Sequence, residues 1–473
     1  MEDYALIIAN LQAENTALKA TVAQLQAMIE ELQARLAQNS ANSSKPPSSD
    51  GFQKKTIKPA LTKEEGRKPG GQKGHPGTTL HMVEIPDVVI QYQLTTCQHC
   101  GKDLTNTLPT LHQRRQVFDL PPPTLYVEEH RQMARQCSCG CVNVGEFPPR
   151  VAAPLQYGPR IQAQSILLNI DYKLPFAKIS QFWADLTGYG YNPATLTQAQ
   201  ATLIHQLIPI QVHIGRQIQQ AQVVHFDETG LRVAGKLHWL HRSAAAVACT
   251  DLWTYLFVHP SRGQKALQSA ESLFEGCTNW LVHDCWSSYF TATTGRHALC
   301  GAHLLRELQG QIEADRLWAV GLHAYLLALY KATCQGPLPA NERDCWQETY
   351  RQWCQQGLEE EPDPIIWYTP SGKVRKGRAK QTKGRNLLDR LVAHESAVLA
   401  FAFEAGVPFT NNEAERALRP AKIKQKVSGG FRSEAGAERY ARIGGFIATL
   451  RKQNYNVVEQ LASVLQGRFQ WAT

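Results

Sequence analysis

No apolar run in the 473-residue chain approaches the ~20 residues a helix needs to cross a bilayer, so a membrane-spanning function is not expected. The start also lacks the charged, apolar and small-residue regions of a secretory leader, and export is not expected. Acidic residues are in deficit: 41 Asp and Glu face 50 Lys and Arg, a formal charge of +9. That sign favours a polyanionic partner. The 12 cysteines lack the spread of a disulfide framework, since five fall between residues 97 and 141 and the rest are scattered later. Such usage points to a reducing cytoplasm and one metal site. What is present in quantity is apolar content, 43%, enough for real cores in a chain of roughly two to four domains.

The basic residues are clustered in KKTIK (54–58), KVRKGRAKQTKGR (373–385) and RALRPAKIKQK (416–426). One such run is an ordinary solvated surface, whereas three favour nucleic acid. Residues 1–39 read as a leucine-zipper coiled coil. Tyr4, Leu11, Leu18, Leu25 and Leu32 occupy d, while Ile8, Asn15, Val22, Ile29 and Leu36 occupy a. Leu at d with mostly β-branched residues at a favours a parallel homodimer, and a single Asn at a fixes register. Residues 40–80, rich in Pro, Gly, Ser and Lys, cannot bury a core and read as a basic flexible linker.

Residues 81–150 carry the cysteine cluster. Cys97 and Cys100 sit in TCQHCG, a knuckle whose Gly101 permits a tight turn; Cys137, Cys139 and Cys141 follow in RQCSCGC. Four of these five thiolates would make a closed structural Zn2+ site, with Cys137 and Cys139 preferred and Cys141 or His99 as substitutes. The intervening residues 117–135 read as strands. Residues 151–221 read as a helical DNA-binding domain of helix-turn-helix character, with Thr195 or Thr197 capping its second helix.

From residue 222 the pattern changes to period two. AQVVHFDET, KLHWLHRSAAAVA, LWTYLFVH and WLVHD are strand-like, with a turn across residues 230–235. Strands followed by helices describe an α/β fold with a ribonuclease H-like core: its first part at 222–309, a helical insertion at 310–400, and a final acidic helix with C-terminal helices at 401–473. Three acids stand out. Asp227 and Asp284 each end an apolar strand, and Glu415 opens a basic helix. Such a trio suits two Mg2+ (or Mn2+) ions, which prefer oxygen ligands. Alternation puts Asp227 with His225 and Glu228 with Phe226, and the apolar companion marks the Glu228 side as packed. Glu413 and Glu415 lie about 200° apart around the helix, so one of them alone can enter a site. Glu415 shares its stripe with Arg419 and Lys422, and Arg416, Arg419, Lys422, Lys424 and Lys426 are the expected DNA-binding residues. Cys300 and His303, three apart, read either as helix packing or as catalytic support, with His303 donating to a phosphate. Arg306 and Glu307 read as a surface ion pair.

The order NSSKPPSSD, GGQKGHPG, the cysteine knuckle, HFDETG, HDCWSSY, CGAHLLREL and NNEAERALRPAKIKQKVSGGFRS resembles the insertion sequence 66 family of bacterial transposases over nearly the whole chain. The resemblance implies a DDE triad of Asp227, Asp284 and Glu415, and matches Cys300 and His303 to a Cys-x-x-His signature after the second Asp. It departs in CSCGC, where a two-residue gap between cysteines is expected. The implied activity is cleavage at the ends of an insertion sequence and strand transfer of the 3′ hydroxyl into target DNA. Asp227 would bridge both ions, Asp284 and Glu415 would hold one each, and accessory transposition proteins would be partners. The rival readings are a structure-selective nuclease of the same fold and a non-catalytic zinc and zipper DNA-binding regulator.

Overall fold

The computed structural model describes residues 80–120, 123–247, 250–291, 295–362 and 381–471, with scattered positions before residue 44. Tyr4, Ile8 and Leu32 of the zipper, most of the expected linker and residues 373–380 of the basic stretch lie outside the described residues. The chain divides into two compact units, Gln53–Glu129, and Met1–Phe52 with His130–Thr473. None of the described helices is long and apolar enough to cross a membrane.

In the smaller unit the described residues form turns and extended chain. Residues 117–129, expected to be strands, are not in a ladder (121 and 122 lie outside the described residues), and Val117, Tyr126 and Val127 are exposed. Their alternation has no apolar surface to bury against, and a pattern without a core does not make a sheet.

The larger unit opens, after its scattered N-terminal positions, with a ribbon of β1 (Ala134–Gln136) and β2 (Val142–Val144), three residues each and exposed throughout. Four helices follow: α1 (Pro159–Ile170), α2 (Phe176–Thr187), α3 (Pro193–Gln206) and α4 (Ile208–Gln220). Then come β3 (Val223–Val233), β4 (Lys236–Val247), β5 (Thr250–His259), β6 (Trp280–His283) and β7 (Arg296–Leu299). Apart from single-turn segments, the helices described after the sheet are α5 (Gly301–Ile312), α6 (Leu317–Ala332), α7 (Ala340–Glu360), α8 (Lys383–Ala393), α9 (Glu395–Phe403), α10 (Asn412–Ser428), α11 (Glu434–Lys452) and α12 (Val457–Leu465).

The strands form one mixed sheet in the order β5-β4-β3-β6-β7. β3 to β5 are an antiparallel meander, and β6 and β7 are added in parallel. β3 is central, and Val223, Val224, His225 and Phe226 are buried in succession, as a strand covered on both faces requires. Val224 and Phe226 share a core with α1 to α4 and α10 to α12; Val223, Val282 and Ala298 share the opposite core with α5 to α9. The helices at 159–220 are thus a layer on the sheet, since Leu196, Leu203, Ile214 and Ile218 pack into the core that holds Phe226. Asn192 caps α3 by accepting from Ala194 N–H, rather than Thr195 or Thr197. The turn expected across residues 230–235 falls at the end of that span, past Gly230. β3 runs on to Val233, and Ala234 (φ 48°) with Gly235 (φ 77°) makes the two-residue hairpin.

At the sheet edge, Thr449 of α11 accepts from Thr254 N–H (3.0 Å) and donates to Thr254 O (3.2 Å), occupying β5 backbone groups that no strand pairs. Near the N-terminus, Leu11, Leu18, Val22, Leu25 and Ile29 are helical and expose their side chains.

Candidate active site

Parallel pairing brings the two strand-borne acids together. His225 of β3 lies opposite Val282 of β6, so Asp227 and Asp284 each stand two residues beyond that pair. Asp284 directly follows β6, whereas Asp227, expected to end its strand, lies within β3, which runs on to Val233 paired with β4. Cys285 takes a left-handed φ of 69°, a conformation costly for a residue with a Cβ, and redirects the chain immediately after Asp284. Asp284 Oδ1 accepts from Trp286 N–H (3.1 Å), and Asp227 Oδ1 accepts from Glu228 N–H (2.8 Å). Loss of solvent raises the Asp227 pKa well above its ordinary value, and the Glu228 and Asp284 carboxylates push it further. His303 and the Glu228 N–H pull the other way.

Glu228 faces away from Asp227, beside Phe226 as alternation requires. It is nonetheless bonded at both oxygens: Arg262 Nε donates to Oε1 (2.6 Å) and the Tyr289 hydroxyl donates to Oε2. Arg262 also reaches Asp284 Oδ2 with Nη2 at 3.5 Å. Its guanidinium is flanked by the Trp286 ring at 4.2 Å and the Trp239 ring at 5.0 Å.

A junction between α5 and α10 closes the other side. Cys300 N–H donates to His283 O (2.9 Å), which ties the start of α5 to β6. Burial alone would raise the Cys300 thiol, but His303 and the Asn411 N–H outweigh it and bring the pKa below its ordinary value. The Asn411 N–H reaches Cys300 Sγ at 3.1 Å. Gly301 N–H donates to Phe409 O, and a Cβ at Gly301 would lie 2.2 Å from the Phe409 ring, so no other residue fits there unmoved. Asn411 sits at the N-cap of α10 without using its side chain as a cap. Instead its Nδ2 donates to Phe226 O (2.8 Å) and its Oδ1 lies 2.6 Å from His225 Nδ1, fastening the helix to β3 one residue from Asp227.

Glu415 follows in the first turn of α10; its side chain, with those of Glu413 and Arg416, lies outside the described residues. Arg419 and Lys426 are exposed. Lys422 donates to Gly230 O, and desolvation lowers the pKa of both Lys422 and Lys424. Glu307 pairs with Arg390 of α8, and Arg306 Nε donates to Ala302 O.

The cysteines form two turns. In the smaller unit Gly101 (φ 71°) donates to Cys97 O, and the Cys97 thiol is lowered by the N–H groups of Cys100 and His99. In the larger unit Gly140 (φ 90°) donates to Cys137 O, and the Cys139 thiol is lowered by the Cys141 N–H and then by the Cys137 and Cys141 thiols. All five are free thiols, donors that suit Zn2+. Among the described residues no three His, Cys, Asp or Glu side chains form a ready-made metal cage.

Arg262, Tyr289 and the bridging role of Asn411 were not legible as site features, because their partners lie 34, 61 and about 185 residues away. The family model described as "Transposase IS66 family" matches residues 154–439, which include Asp227, Asp284, Cys300, His303, Asn411 and Glu415. The zinc-finger binding domain of transposase IS66 matches residues 95–140, spanning Cys97, Cys100, Cys137 and Cys139 and ending before Cys141. A family of unknown function matches residues 3–81. No curated protein matches the chain.

Proposed function

Because the chain belongs to the IS66 family of transposases, we propose that it cleaves DNA at the ends of an insertion sequence and joins the freed 3′ hydroxyl to target DNA, using Asp227, Asp284 and Glu415. The observation that carries this reading is the level placement of Asp227 on β3 and Asp284 just after β6, each two residues past the last parallel pair, His225 and Val282. Two carboxylates so placed repel, which adds to the loss of solvent and the Glu228 charge in raising the Asp227 pKa, and divalent cations would relieve that repulsion. The donor set therefore fits Mg2+ or Mn2+. When bound, two such ions supply Lewis-acid activation of the attacking oxygen and neutralise charge on the leaving oxygen.

We assign Asp227 to both ions and Asp284 and Glu415 to one each. Glu415 stands four residues after Asn411, whose side chain holds the start of α10 to β3; this supports its entry into the same site. The strand order, with helices on both faces, supports a ribonuclease H-like core interrupted by α6 to α9. Cys300 acts by positioning, through Asn411 and His283. His303, whose charge favours ionised Asp227, is assigned to donate a hydrogen bond to a phosphate oxygen.

Arg416, Arg419, Lys422, Lys424 and Lys426 are assigned to the DNA backbone; Arg419 and Lys426 are exposed. Helices α2 and α3 carry one lysine and no arginine, so any part they play on DNA rests on polar contacts rather than charge. Four of the five clustered cysteines hold structural Zn2+ in this reading, Cys137 and Cys139 preferred in the second turn with Cys141 or His99 as substitutes. The exposed apolar stripe of the N-terminal helix pairs two copies, so that two DNA ends are handled together in the cytoplasm.

The test is a joining assay on matched terminal repeats with Mg2+ or Mn2+. Asp227→Asn and Asp284→Asn should each cut joined product on the order of a thousandfold, the loss of several kcal/mol of charge stabilisation. Wild-type product from either variant would sink the assignment, and nicks without joined product from the wild type would favour a nuclease.

A further inference from the structure

The site holds one acid more than the reaction needs, and Glu228 is the extra. We propose that Arg262 is an internal cation that selects the metal-binding acids, withdrawing Glu228 from the ligand set while holding Asp284 ready within it. This rests on the assignment of Asp227 and Asp284 as metal ligands.

The two carboxylates meet Arg262 on unequal terms. Glu228 is engaged at both oxygens, by Arg262 Nε at 2.6 Å and by the Tyr289 hydroxyl, and its side chain is 1% exposed. No oxygen of that carboxylate is left pointing at an incoming ion. Asp284 meets the same guanidinium only at 3.5 Å, beyond hydrogen-bond length, and its side chain is 22% exposed. Its other oxygen is fixed by Trp286 N–H, so Oδ2 is oriented toward a positive charge that it does not tightly bind. A divalent ion can displace that loose contact; displacing the Glu228 contact would strand a buried charge.

The guanidinium cannot easily move to blur this distinction. Trp286 at 4.2 Å and Trp239 at 5.0 Å flank it, one from the loop after β6 and one from β4. Lysine would not substitute, because the selection depends on Nε and Nη2 of one rigid fork serving two carboxylates at once. Arg262 is thus a positioning residue. It offsets the Glu228 charge before metal arrives and directs the ion to Asp227 and Asp284.

The charge logic gives variants of opposite sign, which a merely structural role would not produce. Mn2+ binding to the full-length protein, read by titration calorimetry after chelation and exchange with Zn2+ restored, is the measurement. Arg262→Gln removes a competing cation and releases Glu228, and should tighten Mn2+ binding about tenfold. Glu228→Gln leaves the arginine uncompensated, and should weaken binding about tenfold. The double variant should return near wild type, and it leaves no buried charge alone that could prevent folding. Unchanged or weaker binding in Arg262→Gln, or tighter binding in Glu228→Gln, would overturn the proposal. Asp227→Asn separates the two levels of the argument. If it abolishes Mn2+ binding while Arg262→Gln changes nothing, the selection by Arg262 is wrong and the site assignment stands. If Asp227→Asn leaves Mn2+ binding intact, the site assignment itself is wrong, and this inference falls with it.

Discussion

The acid cluster on the sheet and the cysteine turns both gather groups that bind metals as anions, yet they are built in opposite ways. Asp227, within β3, and Asp284, just after β6, sit on a sheet sandwiched between two apolar cores, and their neighbours Glu228, Arg262, Tyr289, Cys300 and Asn411 are held by hydrogen bonds from several elements. The cysteines sit on exposed turns, the later ones beside a ribbon of three-residue strands with no buried side chain. The fold organises the first site in advance, whereas the second has no core to do so. In the proposed reading a metal arriving at the acids would meet two carboxylates already held by the fold; at the cysteines it would have to supply the structure.

The largest effect that would break this comparison concerns zinc. Stripping Zn2+ with a chelator, or Cys97→Ser, should remove roughly 10 kcal/mol of apparent binding energy and open residues 95–140 to protease. Residues 154–471 should keep their cooperative melt under the same treatment. A core that unfolds together with the cysteine region would contradict the contrast.

A smaller effect lies at the α5–α10 junction. Gly301→Ala places a Cβ against the Phe409 ring, and overpacking of this kind costs about 1–3 kcal/mol. Chemical denaturation should show that loss, and strand transfer should fall further than the stability does, since Asn411 and the start of α10 shift with Phe409. Unaltered transfer in a destabilised protein would mean that the junction is packing alone.

The smallest effect isolates the core from both metals. Lys173, buried and donating to Ile170 O and Asp171 O, has its pKa lowered from 10.5 to about 8, chiefly by desolvation, with Asp171 opposing. The unfolded chain then binds more protons between pH of about 8 and 10.5, so stability should rise with pH across that window and carry the full penalty below it. Lys173→Met should flatten that slope, and chelators should leave it unchanged. A slope that vanishes with metal removal would tie the core to its metals after all.

The sequence made the sheet legible where strands were long or apolar. β3, β4 and β5 each run for ten residues or more, and β6 is a short apolar run ending just before an acid. Alternation also placed Glu228 beside Phe226 and away from Asp227. β7 escaped because RHAL is four residues long and merges into the helix that follows. Asn411 illustrates the other limit. Its local chemistry reads as a helix cap, and only the folded chain brings His225 and the Phe226 carbonyl to its side chain. Arg262 is one basic residue among many until Glu228 and two tryptophans surround it. Local pattern reports burial; which polar groups meet across distant segments is settled by tertiary packing.

The claim that Asp227, Asp284 and Glu415 form one catalytic site is tested most directly by comparing Glu413→Gln with Glu415→Gln in the joining assay. Both residues lie in the first turn of α10, so the pair separates a role in the site from a role in the helix. Glu415→Gln should lose joined product as completely as Asp227→Asn, while Glu413→Gln should join at the wild-type level. Wild-type product from Glu415→Gln, or its loss in Glu413→Gln alone, would contradict the account.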